Sequence, residues 1–458
     1  MTATVERATH PSGVEAPLVL DFAPPRPLTF RDQLALWGNL GISLFGPITA
    51  VYVISTPGGE LTLLAAWTAL IVGVILGGLV LGAAAVPAAH TGAPAMANMR
   101  GLFGRRGSYL PATLNILQNI GWATVEIVVI ATAATAVTSE SLKPLYIVLA
   151  GLFATTMAVR PLGSVRTLRK YAVWVVIAAS IYLYWQVLRQ PLVGTGDGSW
   201  HGFWLSVDAV IAIVISFAPL AGDYSRHSTS GRAAFAGAAL GYGVAAVAFV
   251  GLGLFAFFAI RGFSIDPTGA LLALPAGAVA LVILLVDEVD EAFANIYSTT
   301  MSTQNMLARI DRRLLAVVIG AVATGLAFVI DLAAYQNFLY LIGAFFVPLF
   351  AVVITDYFVV SRRRWELGPG SRMRWGLLVP WLAGFVVYQL FNPSTVAGVD
   401  GLVAKIRDAI NFTPPAWIGA SAASFLTAAV LTLVVGGLDR RTGPESQPDQ
   451  EQEPAEVV

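Results

Sequence analysis

The sequence predicts an all-α integral membrane protein of about twelve transmembrane helices, and three observations predict it. The 458 residues are 57% hydrophobic and only 12% charged, where a soluble chain carries roughly a quarter charged residues. The mean hydropathy of +0.74 means more apolar side chain than one aqueous core can bury, so lipid must solvate much of the surface. The apolar residues also fall in runs of about 20, the length that crosses a bilayer as a helix. These runs do not alternate, as the strands of a membrane barrel would.

In chain order the expected spans are 33–54, 61–85, 109–136, 145–159, 171–188, 203–222, 233–260, 275–304, 314–331, 334–358, 375–391 and 415–437. Lys and Arg divide unevenly between alternate loops. One set holds seventeen, among them Arg100, Arg105, Arg106, Arg226, Arg232, Arg309 and Arg362 to Arg364. The other set holds five: Lys143, Arg189, Arg261, Lys405 and Arg407. By the positive-inside bias both termini are expected in the cytoplasm, in a multi-pass protein of the plasma membrane. Residues 1–30 form a polar segment with no apolar signal-peptide core. Residues 31–437 form one transporter-sized membrane domain, and the polar, acidic tail 438–458 is expected to be disordered.

Composition removes several function classes. Cysteine is absent, so disulfides and thiolate metal sites are excluded. The four histidines have no paired spacing for a transition metal. A net charge of zero gives no footprint for nucleic acid. No cofactor motif, nucleophile–base pair or obligate protein partner is evident, which argues against an enzyme. No filter-like repeat argues for a channel.

Four spans break the rules of a plain membrane helix. The first reads LWGNLGISLFGPITAV, with Gly38, Gly41, Gly46 and Pro47 at its centre. The sixth reads IVISFAPLAGDYSRH, with Pro219 and Gly222 ahead of Asp223. They lie five spans apart, as two inverted five-helix repeats (33–188 and 203–358) would place them, with 375–437 as two peripheral helices. Unwound backbone there would offer carbonyls to a cation and amides to a polar solute. Tight glycine packing between helices is the competing reading.

In the third span, Gln118, Asn119, Trp122 and Glu126 share one broad helical face. A tryptophan near the bilayer middle, beside amides and a carboxylate, suits a flat, hydrogen-bonding solute stacked on the indole. A bulky core residue is the plainer account of Trp122, but Glu126 is costly in a membrane without a task. The eighth span reads LLVDEVDEAFANIYSTTMSTQNM. Its carboxylates Asp287, Glu288, Asp290 and Glu291 precede Asn295, Ser298 and Thr299, whose oxygens converge on one face and suit a hard cation such as Na⁺. An acidic vestibule would account for Asp287 and Asp290; Glu291 is the carboxylate assigned to the solute.

Several of these segments resemble the nucleobase–cation symporter family, the purine–cytosine permeases. They are HTGAPAMANMRGLFGRRGSYLPATLNILQNIGW, SFAPLAGDYSRH, ANIYSTT and YQNFLYLIGAFFVPLFAVVITDYFVVSRRRW, spread in order from about Trp37 to Trp365. The resemblance implies a leucine-transporter-like fold and cation-coupled uptake of a nucleobase or related planar heterocycle. The alternative is a same-fold symporter for an amino acid, a hydantoin or allantoin, or a thiamine-precursor pyrimidine. Residue by residue, it assigns Trp122 to stacking and Asn119 to an amide contact. It places Glu126 where some members have a substrate-binding Gln, and Ser216 and Phe217 at a hydroxyl and an aromatic lid. Asn295, Ser298 and Thr299 match its cation motif, completed by backbone carbonyls between Leu40 and Ser43; the coupling ion is Na⁺ or H⁺. Phe217 stands where many relatives have Trp, Glu126 is charged where Gln is neutral, and the acid cluster is not a general feature of the family.

Overall fold

The computed structural model describes residues 24–160, 165–307, 309–330, 332, 335–368, 371–392 and 399–442. The expectations for 1–23 and 443–458 lie outside the described residues, as does the side chain of Asp287. The helices in chain order are α1 (Phe30–Asn39), α2 (Phe45–Ile54), α3 (Leu63–Thr91), α4 (Ala95–Asn98), α5 (Arg100–Gly107), α6 (Tyr109–Ala136), α7 (Lys143–Val159), α8 (Val165–Leu188) and α9 (Phe203–Ile215). They continue as α10 (Ala221–Ser225), α11 (Gly231–Ala259), α12 (Thr268–Leu272), α13 (Gly277–Met306), α14 (Arg312–Leu326), α15 (Tyr335–Thr355), α16 (Leu378–Phe391), α17 (Val399–Ala409) and α18 (Ala420–Thr442).

Among the described residues, seven helices are long and apolar enough to cross a membrane by themselves. The other expected spans fall short for identifiable reasons. The first is broken into α1 and α2, α13 carries the acid cluster, α14 and α16 have only 15 and 14 residues, and the apolar part of α8 with described side chains is the short stretch Trp174–Leu188. Large apolar side chains such as Leu64, Trp174 and Val244 are about 70% exposed, as a lipid-facing surface requires.

Both expected interruptions are present. Helix α1 starts at a capping box in which Thr29 and Asp32 satisfy each other's backbone, and it stops at Asn39. Helix α2 restarts at Phe45 with Pro47 in its first turn, where the missing N–H costs nothing. The sixth span stops at Ile215, passes through a 3₁₀ turn over Ala218–Leu220, and resumes as α10. Glycine packing holds as well: a Cβ on Gly41 would sit 2.8 Å from that of Ala245, and one on Gly241 2.6 Å from the Leu34 carbonyl oxygen. The small residues therefore let the broken first span lie against α11 while its middle is unwound.

The packing has a repeated logic. The first span packs on α11, and its counterpart α9–α10 packs on α3; α3 and α11 lie together, and so do α6 and α13. Helices α16 and α18 pair with each other and lean on α15. Asp208 on α9 explains where α18 begins: its carboxylate accepts the backbone N–H of Ala420 at 2.7 Å and of Ser421 at 2.9 Å. That cap, after Pro414 and Pro415, starts the last helix at Ala420 instead of 415, and the helix runs on to Thr442. At the arginine-rich end Asp356 is fully buried. It pairs with Arg374 at 2.8 Å and accepts from Ser361 and from Trp365 Nε1, each at 2.8 Å, pinning the loop after α15. Elements outside the expected spans are the short hairpin Ser55–Glu60, α4, α5, α12 and the amphipathic α17.

Candidate functional site

The site is built on the face of α6 that the sequence singled out. Asn115, Gln118, Asn119, Trp122 and Glu126 are all buried, and they occupy successive turns. Asn115 Nδ2 donates to Ser302 Oγ of α13 at 2.8 Å. Gln118 Nε2 donates to the backbone carbonyl of Ser216, in the break of the sixth span, at 3.0 Å. The third span is thereby tied both to α13 and to the sixth-span break. Four polar atoms on this face have no hydrogen-bond partner: Gln118 Oε1, Asn119 Nδ2, Trp122 Nε1 and Glu126 Oε2. Buried groups of this kind are costly unless something satisfies them.

Trp122 is the centre of an aromatic cluster. Its ring meets Phe45 edge-on at 5.5 Å, Phe338 at 5.4 Å and Tyr335 at 5.8 Å between centroids, while Phe45 stacks on Tyr335 at 5.0 Å. Phe45 opens α2 and Tyr335 opens α15, so three spans converge on the indole.

The carboxylates come from the neighbouring helices. Asn295 Nδ2 donates to Glu126 Oε1 at 2.9 Å and to the Glu291 carbonyl at 3.2 Å. Glu288 reaches the break of the first span: its Oε1 accepts from Ser43 Oγ at 3.0 Å and from the Leu44 backbone N–H. Asn39 Nδ2 donates to Asp290 Oδ2 at 3.1 Å. Asp223 accepts Ser298 Oγ at 2.7 Å and the Ala95 backbone N–H at 2.9 Å.

Each expected site residue has a definite place. Trp122, Asn119 and Glu126 are brought together on one face, and Asn295 closes on Glu126. Ser216 adjoins them through its backbone carbonyl, since its hydroxyl donates to Ile213 O at 2.7 Å within its own helix. Phe217 packs on Tyr242 at 4.8 Å. Glu291 is buried a turn from Asn295. The Thr299 hydroxyl donates back to Asn295 O at 2.8 Å, and Ser298 turns to Asp223. Ser43 Oγ donates to Glu288 and accepts the Phe45 N–H at 3.1 Å, the Ser43 carbonyl accepts the Gly46 N–H at 3.1 Å, and the N–H of Leu40 bonds back into α1. Residues that sequence reasoning left out of the site are Glu288, Asp223, Phe45, Tyr335 and Phe338. Asp223 had a signal in the D-Y-x-R motif, and Phe45 in its position beside the Gly-Pro pair.

Two packed layers flank the site. Toward the end opposite the arginines, Leu44, Ile48, Val129, Leu281 and the segment Asp266–Thr268 leave a gap of about 10 Å³. Toward the arginine-rich end, Trp37 meets Tyr224 edge-on at 6.1 Å and Tyr224 lies 6.5 Å from Tyr297.

A helical membrane bundle with broken first and sixth spans flanking a buried polar–aromatic site defines a transporter, not an enzyme. The family model for permeases of cytosine/purines, uracil, thiamine and allantoin matches residues 37–369, and the chain belongs to that family. A protein of Bacillus subtilis (strain 168) carrying the name purine-cytosine permease YxlA is 22% identical over 377 residues, covering 75% of this chain and 80% of its own. Among solved structures, inward-facing Mhp1 superposes with a TM-score of 0.72 at 18% identity, covering 91% of this chain and 92% of the other. Mhp1 in a closed conformation with bromovinylhydantoin bound gives the same score and identity over 93% and 97%. MhsT in complex with L-phenylalanine matches with a TM-score of 0.55 at 14% identity, over 88% and 97%. The fold is leucine-transporter-like.

Proposed function

We propose that the protein takes up a nucleobase or related planar heterocycle by cation-coupled alternating access. One observation carries the substrate class: Trp122 Nε1, Asn119 Nδ2, Gln118 Oε1 and Glu126 Oε2 are buried and unpartnered within two helical turns. A flat ring edged with both donors and acceptors satisfies such a set while its face covers the indole. The family membership supports this reading, as does the hydantoin named with one structural neighbour.

Coupling follows from the breaks. Ser298 and Thr299 use their hydroxyl hydrogens on Asp223 and Asn295, which leaves the oxygens' lone pairs for a hard cation. With carbonyls from Leu40 to Ser43 they would form a Na⁺ site between the first and eighth spans; protonation of a carboxylate is the other route. A Na⁺-coupled sialic acid symporter among the matched structures, at 12% identity and a TM-score of 0.53, has the same fold. Access alternates between the layer at Asp266–Thr268 and the Trp37–Tyr224–Tyr297 layer. The two halves 33–188 and 203–358 move against each other, and both termini face the cytoplasm of a cell whose plasma membrane holds the protein. The test is thermal-shift binding of a nucleobase panel with and without Na⁺ and across pH. Stabilisation by a nucleobase that Na⁺ or acid strengthens is expected; no stabilisation by any base under any condition would sink the reading.

A further inference from the structure

The neutral nucleobases of the family leave one feature of this site unused. Glu126 and Glu288 are each 1% exposed, and neither forms an ion pair among the described residues. Each has one oxygen held by uncharged groups, Asn295 for Glu126 and Ser43 with Leu44 for Glu288. Each has its other oxygen unpartnered. The two lie within electrostatic reach of one another, and Tyr335 lies within reach of Glu288 and Glu291. Glu288, Glu291 and Asn295 sit on one face of α13, opposite Glu126 on α6. On the side toward α2 and α15, the rings of Phe45, Trp122, Tyr335 and Phe338 form one cluster, with Phe45 next in the chain to the Leu44 amide that Glu288 accepts and Trp122 one turn from Glu126. Aromatic faces beside unpaired carboxylates are the surroundings that a delocalised organic cation prefers. Trp122 Nε1 and Asn119 Nδ2, both buried donors without acceptors, require that the same ligand also offer lone pairs.

We infer that the substrate is a flat heterocycle carrying a positive charge, with its cationic N–H edge on Glu126 and Glu288 and its acceptor side on Asn119 and Trp122. This rests on the reading that a heterocycle occupies the Trp122 site, and it specifies the charge of that heterocycle. An uncharged ring leaves ionised carboxylates without a counter-charge in a membrane interior, which is expensive. A cationic ring supplies the counter-charge and makes charge-assisted hydrogen bonds to the free oxygens. The carboxylate that is not balanced by the ligand holds a proton.

The experiment uses the full chain purified in detergent. Thermal shift and competition are measured at mildly acidic pH with 2,4-diaminopyrimidine and 2,4,6-triaminopyrimidine, each protonated there on one ring nitrogen and keeping the other as an acceptor, and with neutral cytosine and uracil. Both cations are expected to bind about ten-fold or more tightly than uracil, a difference of about 1.4 kcal/mol. Glu126→Gln should erase that preference, weakening the two cations about ten-fold or more beyond any change it causes in uracil binding. Glu288→Gln, read against its own unliganded baseline, should weaken the cations in the same sense and serves if the first variant does not fold. Tighter binding of cytosine or uracil than of both cations, or a preference unaltered in both variants, would overturn the cationic assignment and leave the heterocycle site standing. Stabilisation by none of the four overturns both.

Discussion

The carboxylate of Glu288, on α13, accepts the backbone N–H of Leu44 at the head of α2, and Ser43 Oγ donates to the same oxygen at 3.0 Å. The first amides of a helix have no partner within it, and the aligned peptides make that end positive. Such amides ordinarily meet water or a capping side chain. Here the break lies inside the membrane, and a carboxylate from another span meets them. Glu288 thus latches the unwound middle of the first span to the eighth.

Removing that latch should be felt in both stability and transport. Glu288→Ala leaves the Leu44 N–H and the Ser43 hydroxyl without their acceptor, a loss of about 1–3 kcal/mol. Glu288→Gln keeps an acceptor but not the charge, and should lose about 1 kcal/mol. Thermal unfolding in detergent together with uptake into proteoliposomes reads both. An alanine variant with wild-type melting and wild-type uptake would show that the contact has no such role.

Trp122 is best tested by a ring of smaller area. Alanine opens a cavity in a packed cluster and would cost about 3–5 kcal/mol of stability, which confuses binding with folding. Trp122→Phe keeps the edge contacts to Phe45 and Tyr335 largely filled. It loses indole area and the Nε1 donor, and should weaken heterocycle binding about ten-fold, with a smaller change in melting temperature. Equal affinity in equilibrium binding would remove the indole from the substrate's contacts.

The two breaks were legible because Gly and Pro interrupt otherwise continuous apolar runs, and the α6 face was legible because one helical period places its polar residues together. Which acid does what was not. Spacing puts Glu288, Glu291 and Asn295 on one side of α13, but Ser43 and Leu44 lie 245 and 244 residues away in sequence. Nothing local marks Glu288 as the carboxylate that reaches them. Spacing puts the hydroxyls of Ser216 and Thr299 on their helical faces but does not say where their hydrogens go; both donate to a preceding carbonyl of their own helix. The glycines of the first span carried two readings, unwinding and close packing, and both hold because the unwound stretch has to lie against α11.

Asp208 illustrates the same limit and supports a prediction of its own. In sequence it is one acid in an apolar run; in the fold it caps α18, a helix 212 residues further on. Asp208→Ala removes both bonds from the start of that helix, where a lost cap costs about 1–2 kcal/mol. Because α18 packs at the periphery, the loss should lower melting temperature while the affinity of correctly folded protein for substrate stays the same. A variant with normal melting but altered affinity would move Asp208 from the scaffold to the site.

Ser298 and Thr299 are the remaining pair to separate from their surroundings. Both hydroxyls hydrogen-bond within the protein, Ser298 to Asp223 and Thr299 to Asn295 O, so their loss has a structural component as well as one for a bound cation. Ser298→Ala with Thr299→Ala should raise the half-saturating Na⁺ concentration about ten-fold or more if a cation uses their oxygens. Linkage then requires the substrate's apparent affinity to fall at low Na⁺ and to recover as Na⁺ is raised toward saturation. Ser298→Ala by itself, which leaves Asp223 Oδ2 without its donor, should cost about 1–3 kcal/mol of stability whether or not Na⁺ binds. Uptake whose Na⁺ dependence is unchanged in the double variant would transfer the coupling role to protonation of the carboxylates around Glu126 and Glu288.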